Sequence, residues 1–160
     1  EAFYTSGGSG TMTRAFADQG FSLDYKTIRH PGHCEYMKFL LNEMKIHPNV
    51  VEMQITSAIP FTNDVDVYIY IEVNGYDKTP YQTDRMVAYD RKPIRKTYYK
   101  KFSGKYDNKW NAIQYSTASG ICGVVEWVHE NDIKGFVSQE NIPFSKFVID
   151  TTAGSAYHGG

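Results

Sequence analysis

Residues 65–73 read Val-Asp-Val-Tyr-Ile-Tyr-Ile-Glu-Val. β-branched apolar side chains occupy every odd position, and acidic or tyrosine side chains occupy every even position. Because successive side chains of a strand point to opposite faces, this alternation predicts a β-strand with one apolar face. Asn74 and Gly75 follow directly, and this pair favours a turn with positive φ. The stretch therefore predicts an antiparallel arrangement whose apolar face needs a cover.

Shorter strands are predicted on both sides of this segment. After the turn, strands are expected at about residues 85–89 and 95–102, which would complete an antiparallel meander. Nearer the start of the chain, residues 23–29 alternate over a short strand that Pro31 and Gly32 end. These segments predict a largely antiparallel or mixed sheet.

Helices are predicted where the apolar period changes to about 3.6 residues. One begins at His33, and a second begins at Pro48, where a first-turn proline loses no hydrogen bond. The second segment would also suit a strand, because it begins Val-Val-Glu-Met-Gln-Ile-Thr. The longest helix is expected over about residues 110–130. Its predicted inner face consists of Ile113, Thr117, Ile121, Val124, Val125 and Val128.

The fold class predicted from these segments is α+β. A chain of 160 residues is long enough to bury one core without disulfides. We expect a single domain over residues 1–150, with a mixed or largely antiparallel sheet covered on one face by helices. A flexible tail is expected at residues 151–160, which offer little to pack. A short helical turn is expected just before it, at residues 143–147.

The charge balance argues against nucleic acid and anionic membranes as partners. The 17 basic and 18 acidic residues give a formal net charge of -1, so the chain has no broad attractive field. One basic run, residues 91–101, includes Tyr98 and Tyr99 and suits a strip that binds single strands. An edge strand whose lysines prevent edge-to-edge pairing is the simpler interpretation.

The cysteines and the hydropathy pattern indicate the cellular compartment of the protein. Cys34 and Cys122 stand alone, without the spacing of a zinc site or a disulfide framework. No apolar run approaches the ~18 residues that a membrane span requires. These features predict a reducing, cytoplasmic setting with no metal.

A glycine loop at residues 6–10 has three possible interpretations. It lacks the Gly-x-Gly-x-x-Gly spacing of a dinucleotide fingerprint, and no apolar strand precedes it. Its composition also suits a flexible linker. As a ligand loop, its backbone N–H groups can approach a carboxylate closely, and the hydroxyls of Thr5 and Ser6 can add donors.

Two residues near the Pro31-Gly32 turn are candidates for substrate binding. Arg29 stands at a strand end, where its guanidinium can grip a carboxylate through two hydrogen bonds. The alternative for Arg29 is a surface salt bridge of little energy. His33 can act as acid, base or hydrogen-bond donor near neutral pH, or can simply be a packed imidazole. His30, at the other side of the turn, is better explained by packing.

Four separated segments carry a family resemblance. Residues 1–11 read Glu-Ala-Phe-Tyr-Thr-Ser-Gly-Gly-Ser-Gly-Thr, and residues 25–33 read Tyr-Lys-Thr-Ile-Arg-His-Pro-Gly-His. Residues 110–120 read Trp-Asn-Ala-Ile-Gln-Tyr-Ser-Thr-Ala-Ser-Gly, and residues 134–140 read Lys-Gly-Phe-Val-Ser-Gln-Glu. In this order they resemble the second domain of saccharopine dehydrogenase-like proteins, which carries substrate-binding and dimerisation surfaces.

The resemblance implies a role within a larger oxidoreductase. Such an enzyme uses NAD or NADP, bound mainly by a Rossmann domain that is absent from this chain, and acts on the C–N bond of an amino acid. A homodimer is implied, and the 160 residues alone are expected to be inactive. The implied substrate-binding residues are Ser6, Gly7, Gly8, Arg29, His33 and Thr117. Of these, the glycine loop and Arg29 would clasp a substrate carboxylate together; no catalytic residue is assigned.

Two alternatives stay open at the level of sequence. The same family scaffold can act on free lysine or on a carboxylated polyamine instead of a saccharopine-type amino acid. The chain can also be a non-catalytic dimerisation or interaction domain, which the tyrosines at positions 68 and 70 suggest. Tyrosines on a strand are also common as solvent-facing strand formers.

Overall fold

A computed structural model describes residues 1–5, 8–20, 22–83, 86–106 and 109–159. The chain divides into two compact units. The first comprises Glu1–Thr62 and Phe136–Ile142, and the second comprises Asn63–Gly135 and Pro143–Gly160. Helices and antiparallel strand pairs occur together, so the predicted α+β class is confirmed.

The first unit contains a small ribbon and three helices. Its elements are β1 (Ala2–Tyr4), α1 (Met12–Phe16), β2 (Lys26–Ile28), α2 (His33–Lys38) and α3 (Pro48–Ala58). α2 continues into a π-helical turn at Phe39–Glu43. At the start of α3, Pro48 occupies the first turn and the His47 ring accepts the Asn49 N–H at 3.3 Å, so the helical interpretation of this segment is correct. Val51 on α3 is buried.

The second unit is built on one long hairpin. Its elements are β3 (Asp66–Thr83), β4 (Met86–Ser103), β5 (Lys105–Tyr106), β6 (Trp110–Asn111), α4 (Ala112–Glu130) and α5 (Phe144–Asp150). β3 and β4 pair antiparallel without a break, from Asp66 opposite Ser103 to Thr83 opposite Met86. The predicted strand at residues 65–73 is thus confirmed, and it extends about ten residues further.

The turn predicted at Asn74 and Gly75 is wrong, and so is the three-stranded meander. Asn74 lies opposite Arg95 and Gly75 lies opposite Ile94, inside the ladder. The Asn74 amide donates to the Glu72 carboxylate at 2.7 Å, so its side chain is satisfied within a strand. A continuous ladder on both sides outweighs the local preference of this pair for a turn.

α4 exists as predicted, but it buries the opposite face. Ile113, Ile121 and Val125 are 53%, 63% and 62% exposed. The buried residues of α4 are Ala112, Ser116, Ser119, Gly123 and Trp127. A Cβ at Gly123 would lie 2.6 Å from the Phe147 ring and 2.8 Å from the backbone nitrogen of Gly154. Small residues let α4 approach this segment closely, and that contact decides which face is covered.

Residues 151–159 also differ from the prediction of a flexible tail. Thr151 is buried, and a 3-10 turn forms at Gly154–Tyr157. The Tyr157 hydroxyl donates to the Ser116 carbonyl oxygen at 2.8 Å, and its ring lies edge-on to Phe102 at 5.3 Å between centroids. Phe102 is 1% exposed, so the end of the chain covers the apolar face of the hairpin near its base. One large aromatic residue is enough to anchor this otherwise small-residue segment.

Candidate functional site

The β1–β2 ribbon lies beside three of the predicted site residues: Arg29 extends its ladder, His33 stacks on Phe3, and Gly8 contacts the ring of Tyr25. Its ladder continues past the strands at Glu1 and Arg29. The backbone N–H of Arg29 donates to the Glu1 carbonyl oxygen at 2.9 Å, and the Glu1 amino group donates to the Arg29 carbonyl oxygen at 2.8 Å. The hydroxyls of Thr5 and Thr27 lie 2.9 Å apart. Residues directly opposite each other in this register share a face. We call the odd-numbered side the ribbon face, which comprises Glu1, Phe3, Thr5, Tyr25, Thr27 and Arg29.

Arg29 lies at one end of the ribbon face and is exposed. Its guanidinium donates to the Ile28 carbonyl oxygen at 3.2 Å. Among the described residues, no carboxylate lies within 4.0 Å of this guanidinium, so the surface salt bridge that the sequence left open is not formed there. The guanidinium keeps donors for a ligand carboxylate.

The neighbouring carboxylate of Glu1 is engaged elsewhere. It accepts the backbone N–H of Cys34, at the start of α2, at 2.6 Å. This hydrogen bond holds the pKa of Glu1 below its ordinary value. Glu1 therefore stays ionised at neutral pH and ties α2 to the ribbon instead of neutralising Arg29.

His33 lies over the same face. Its imidazole stacks on the Phe3 ring, with centroids 5.8 Å apart and ring planes within 8°. Phe3 pairs with Thr27, so this stack covers the middle of the ribbon. The packed imidazole that the sequence left open is therefore observed, on the Phe3 side of the ring, and a role of His33 in lining the substrate site stays a prediction.

Gly8 lies at the other end of the ribbon from Arg29. A Cβ at this position would overlap the ring of Tyr25, so glycine lets the chain lie directly on that ring. Tyr25 precedes Arg29 by four residues of extended chain, about 14 Å. By this backbone separation Gly8 stands towards the opposite end of the ribbon from Arg29, which does not favour a shared clasp of one carboxylate by these two residues, and the clasp by the whole loop stays a prediction. Ser6 and Gly7 lie outside the described residues.

The loop that follows Gly8 contacts the closing segment of the first unit. The Thr11 hydroxyl donates to the Glu140 carboxylate, and the Gln139 amide lies 3.4 Å from the same hydroxyl oxygen. The bond from Thr11 lowers the pKa of Glu140. Gly10 adopts φ 54°, and a Cβ there would lie 3.1 Å from the Gln139 amide. Sequence reasoning missed this contact, because no periodicity links residues 128 positions apart.

Thr117 belongs to the second unit. Its side chain is exposed on α4, on the side opposite the buried face. Its role in lining a substrate cleft stays a prediction.

The tyrosines of β3 form a polar surface of their own. The Tyr68 hydroxyl donates to the Asp66 carboxylate at 2.9 Å, and the Tyr70 hydroxyl donates to the Glu72 carboxylate at 2.7 Å. The Lys101 ammonium lies 5.1 Å from the centre of the Tyr68 ring. Because both hydroxyls have partners within the hairpin, this face is typical of a solvated strand surface.

No protein-family model and no solved structure matches this chain. The family resemblance therefore rests on its sequence segments. In the part of the chain that the structure describes, no three His, Cys, Asp or Glu side chains are grouped so as to hold a metal ion. No helix there combines the length and the apolarity that crossing a membrane requires.

Proposed function

We propose that this chain is the substrate-side domain of a saccharopine dehydrogenase-like oxidoreductase that acts on the C–N bond of an amino acid. NAD or NADP would supply or accept the hydride and would be bound mainly by a nucleotide-binding domain outside these residues. The chain's own residues would bind and orient the substrate. A cytoplasmic location and a homodimer belong to the same proposal.

One observation carries this proposal: Arg29 offers its guanidinium at the end of a face that also holds Thr27 and His33. A guanidinium without a carboxylate partner among the described residues is a suitable anchor for the α-carboxylate of an amino acid. The contact between Thr11 and Glu140 adds support, because it joins the first and the last of the resembling segments in one unit.

The length of the ribbon face favours one substrate class within the family. Tyr25, whose ring contacts Gly8, is about 14 Å of extended backbone from Arg29, and this spacing suits an elongated molecule with a carboxylate at each end. A saccharopine-type amino acid has this form, whereas free lysine carries a carboxylate at one end only. We infer that Arg29 binds one terminal carboxylate and that the other end of the substrate lies towards Gly8 and Thr11.

The first test uses the 160-residue chain itself. An amide-resolved NMR titration with saccharopine should shift the signals of Arg29, His33 and Thr11 together, whereas lysine should shift only the Arg29 end. Arg29→Ala should weaken saccharopine binding about tenfold or more, the loss expected for a charge-assisted pair. Arg91→Ala is the matched control, because Arg91 is also exposed but lies on β4 in the second unit. Absence of any shift at the ribbon face would contradict the substrate site.

The second test uses a protein in which this chain is joined to a nucleotide-binding domain of the proposed family. Oxidation of saccharopine should be followed by the absorbance of the reduced nicotinamide. Arg29→Ala should raise KM severalfold or more, since uniform binding energy is removed. An unchanged KM would remove Arg29 from the substrate site.

A further inference from the structure

Glu1 and Arg29 place two opposite charges at one end of the ribbon face. The two residues lie directly opposite each other and exchange backbone hydrogen bonds of 2.9 Å and 2.8 Å. Their side chains therefore leave the same face from Cα atoms about 5.5 Å apart. Both residues are exposed, and in the described part of the chain neither takes part in an ion pair. A carboxylate and a guanidinium thus stand side by side without neutralising each other.

Both charged groups are held by backbone atoms and keep capacity for a ligand. Oε1 of Glu1 accepts the Cys34 N–H at 2.6 Å. This bond is the main cause of the lowered pKa of Glu1, and the N–H of Gly32 adds to it. A carboxylate offers about four lone-pair sites, so Glu1 can still accept from a cation. Arg29 donates one N–H to the Ile28 carbonyl oxygen, and its guanidinium has further donors.

The head group of an α-amino acid is the chemical complement of this pair. It carries a carboxylate and an ammonium on one carbon atom, so each charge can meet its opposite at the end of the ribbon. A ligand that presents a carboxylate alone would satisfy Arg29 but would leave the Glu1 charge beside it unpaired. An arrangement of this kind selects between ligands by attraction and by repulsion together.

We propose that Glu1 binds the α-ammonium group of the amino acid whose α-carboxylate is bound by Arg29. Glu1 is then a specificity-determining residue of the substrate site, in addition to its contact with the start of α2. The inference rests on the proposed function, and it adds to that function the direction in which the substrate lies on the ribbon face.

The direction follows from the two ends of a saccharopine-type substrate. One end is a lysine-type head with a primary α-amine. At the other end, which is glutamate-type, the α-nitrogen is the secondary amine of the C–N bond that is oxidised. Oxidation moves a hydride from carbon to the nicotinamide while the lone pair of this nitrogen forms the C=N bond, so the nitrogen must be unprotonated. A neighbouring carboxylate favours the protonated amine. Glu1 therefore suits the lysine-type end, and the glutamate-type end lies towards Gly8.

This direction places the reacting nitrogen over the middle of the ribbon. The secondary amine is five bonds from the α-carbon of the lysine-type end. Thr27 lies two residues before Arg29 on the same face, about 7 Å along the strand, which an extended chain of five bonds nearly spans. Phe3 pairs with Thr27 and carries the stacked His33 imidazole. The nitrogen would thus lie beside Thr27 and the Phe3–His33 stack.

The test compares two ligands on the 160-residue chain by calorimetric titration at neutral pH. The ligands are saccharopine and its analogue without the α-amino group of the lysine-type end. The wild-type chain should bind saccharopine about fivefold more tightly or better, and Glu1→Gln should reduce this preference to about twofold or less. The glutamine amide oxygen can still accept the Cys34 N–H, so the contact with α2 is kept. Glu130→Gln is the matched control and should keep the preference, because Glu130 is also exposed but ends α4 in the second unit.

The possible outcomes separate this inference from the function on which it rests. If the wild-type chain binds neither ligand, the substrate site and the role of Glu1 are both overturned. If it binds saccharopine but Glu1→Gln leaves the preference unchanged, only the role of Glu1 is overturned. The same holds if Glu1→Gln weakens both ligands equally, because a purely structural contact with α2 would act on both. Loss of the preference in Glu1→Gln alone supports the inference.

Discussion

The Tyr157 hydroxyl donates a 2.8 Å hydrogen bond to the carbonyl oxygen of Ser116, and this bond joins residues 151–159 to the N-terminal half of α4. The Tyr157 backbone carbonyl in turn accepts the Tyr98 hydroxyl of β4 at 2.5 Å. Burial raises the pKa of both tyrosines, so both hydroxyls stay protonated and remain donors at neutral pH. Tyr157 thus links three elements of the second unit.

We expect Tyr157→Phe to lower the free energy of unfolding by about 1 kcal/mol, because it removes one hydrogen bond and keeps the ring. Tyr157→Ala should cost about 3 kcal/mol or more, because the ring contacts with Phe102 and Phe147 are lost as well. Urea unfolding followed by circular dichroism measures both values. Tyr76→Phe, at a tyrosine that is 65% exposed, is the control and should be neutral. Equal changes in the free energy of unfolding for Tyr157→Phe and Tyr76→Phe would contradict a stabilising hydrogen bond from Tyr157.

Gly123→Ala should destabilise the protein by about 1–3 kcal/mol, although alanine is the better helix former. The new methyl group would lie 2.6 Å from the Phe147 ring and 2.8 Å from a backbone nitrogen. Thr117→Ala on the exposed side of α4 introduces no clash and should be neutral or slightly stabilising. Thermal unfolding of the two variants separates the effect of close packing from the effect of helix propensity. A Gly123→Ala variant that is more stable than the wild-type protein would show that α4 does not pack this closely.

Asn111 caps α4 through a reciprocal pair of bonds with Gln114. Its side chain accepts the Gln114 N–H at 2.9 Å, and the Gln114 side chain accepts the Asn111 N–H at 3.1 Å. Asn111→Ala should cost about 1 kcal/mol, whereas Asn111→Asp should retain most of the stability, because aspartate also caps well. Chemical denaturation at neutral pH measures the difference, and equal losses in both variants would argue against the cap.

Glu72 should titrate far below an ordinary glutamate. Hydrogen bonds from Asn74, Tyr70 and Arg95 lower its pKa to about 2 from 4.5. Because the folded pKa is the lower one, this group stabilises the fold above about pH 4.5, and the contribution is lost as the pH falls from 4.5 towards 2. Carbon-detected NMR titration of the carboxyl group measures the value directly.

The variant that checks the cause is Asn74→Ala, which should raise the pKa of Glu72, since the Asn74 bond is the largest contribution. Tyr70→Phe should raise it less. A wild-type pKa near 4.5 would mean that the carboxylate is not held by these donors in solution.

Local periodicity was sufficient to find the strand at residues 65–73 and helix α4, whereas the segment of α3 also suited a strand. In each case the pattern of side chains repeats with the period of the backbone, so neighbours in sequence carry the information. The start of α3 at Pro48 was likewise predictable, because the first-turn proline acts on its own helix. The Arg29 position at a strand end followed from the Pro31-Gly32 turn beside it.

The sequence predicted which residues belong to the candidate site, but it did not predict how they are arranged. Arg29 and His33 were named from their chemistry and their neighbours in sequence, and the structure places both near the ribbon face. Their relation to Gly8 depends on the register of β1 against β2, which sets the glycine loop and the guanidinium at opposite ends. Two strands of three residues carry too weak an alternation to reveal that register in advance.

The sequence alone determined that this chain is an α+β protein, with the first half of β3 and the position of α4, because those depend on interactions within one segment. Only the tertiary structure decided that Asn74 and Gly75 stay inside a hairpin arm, that α4 buries its small residues and exposes Ile121, and that Tyr157 anchors the end of the chain. Each of these outcomes depends on contacts between residues distant in sequence, such as Gly123 with Phe147 and Tyr157 with Ser116, whose packing energy exceeds the local preference at the same position.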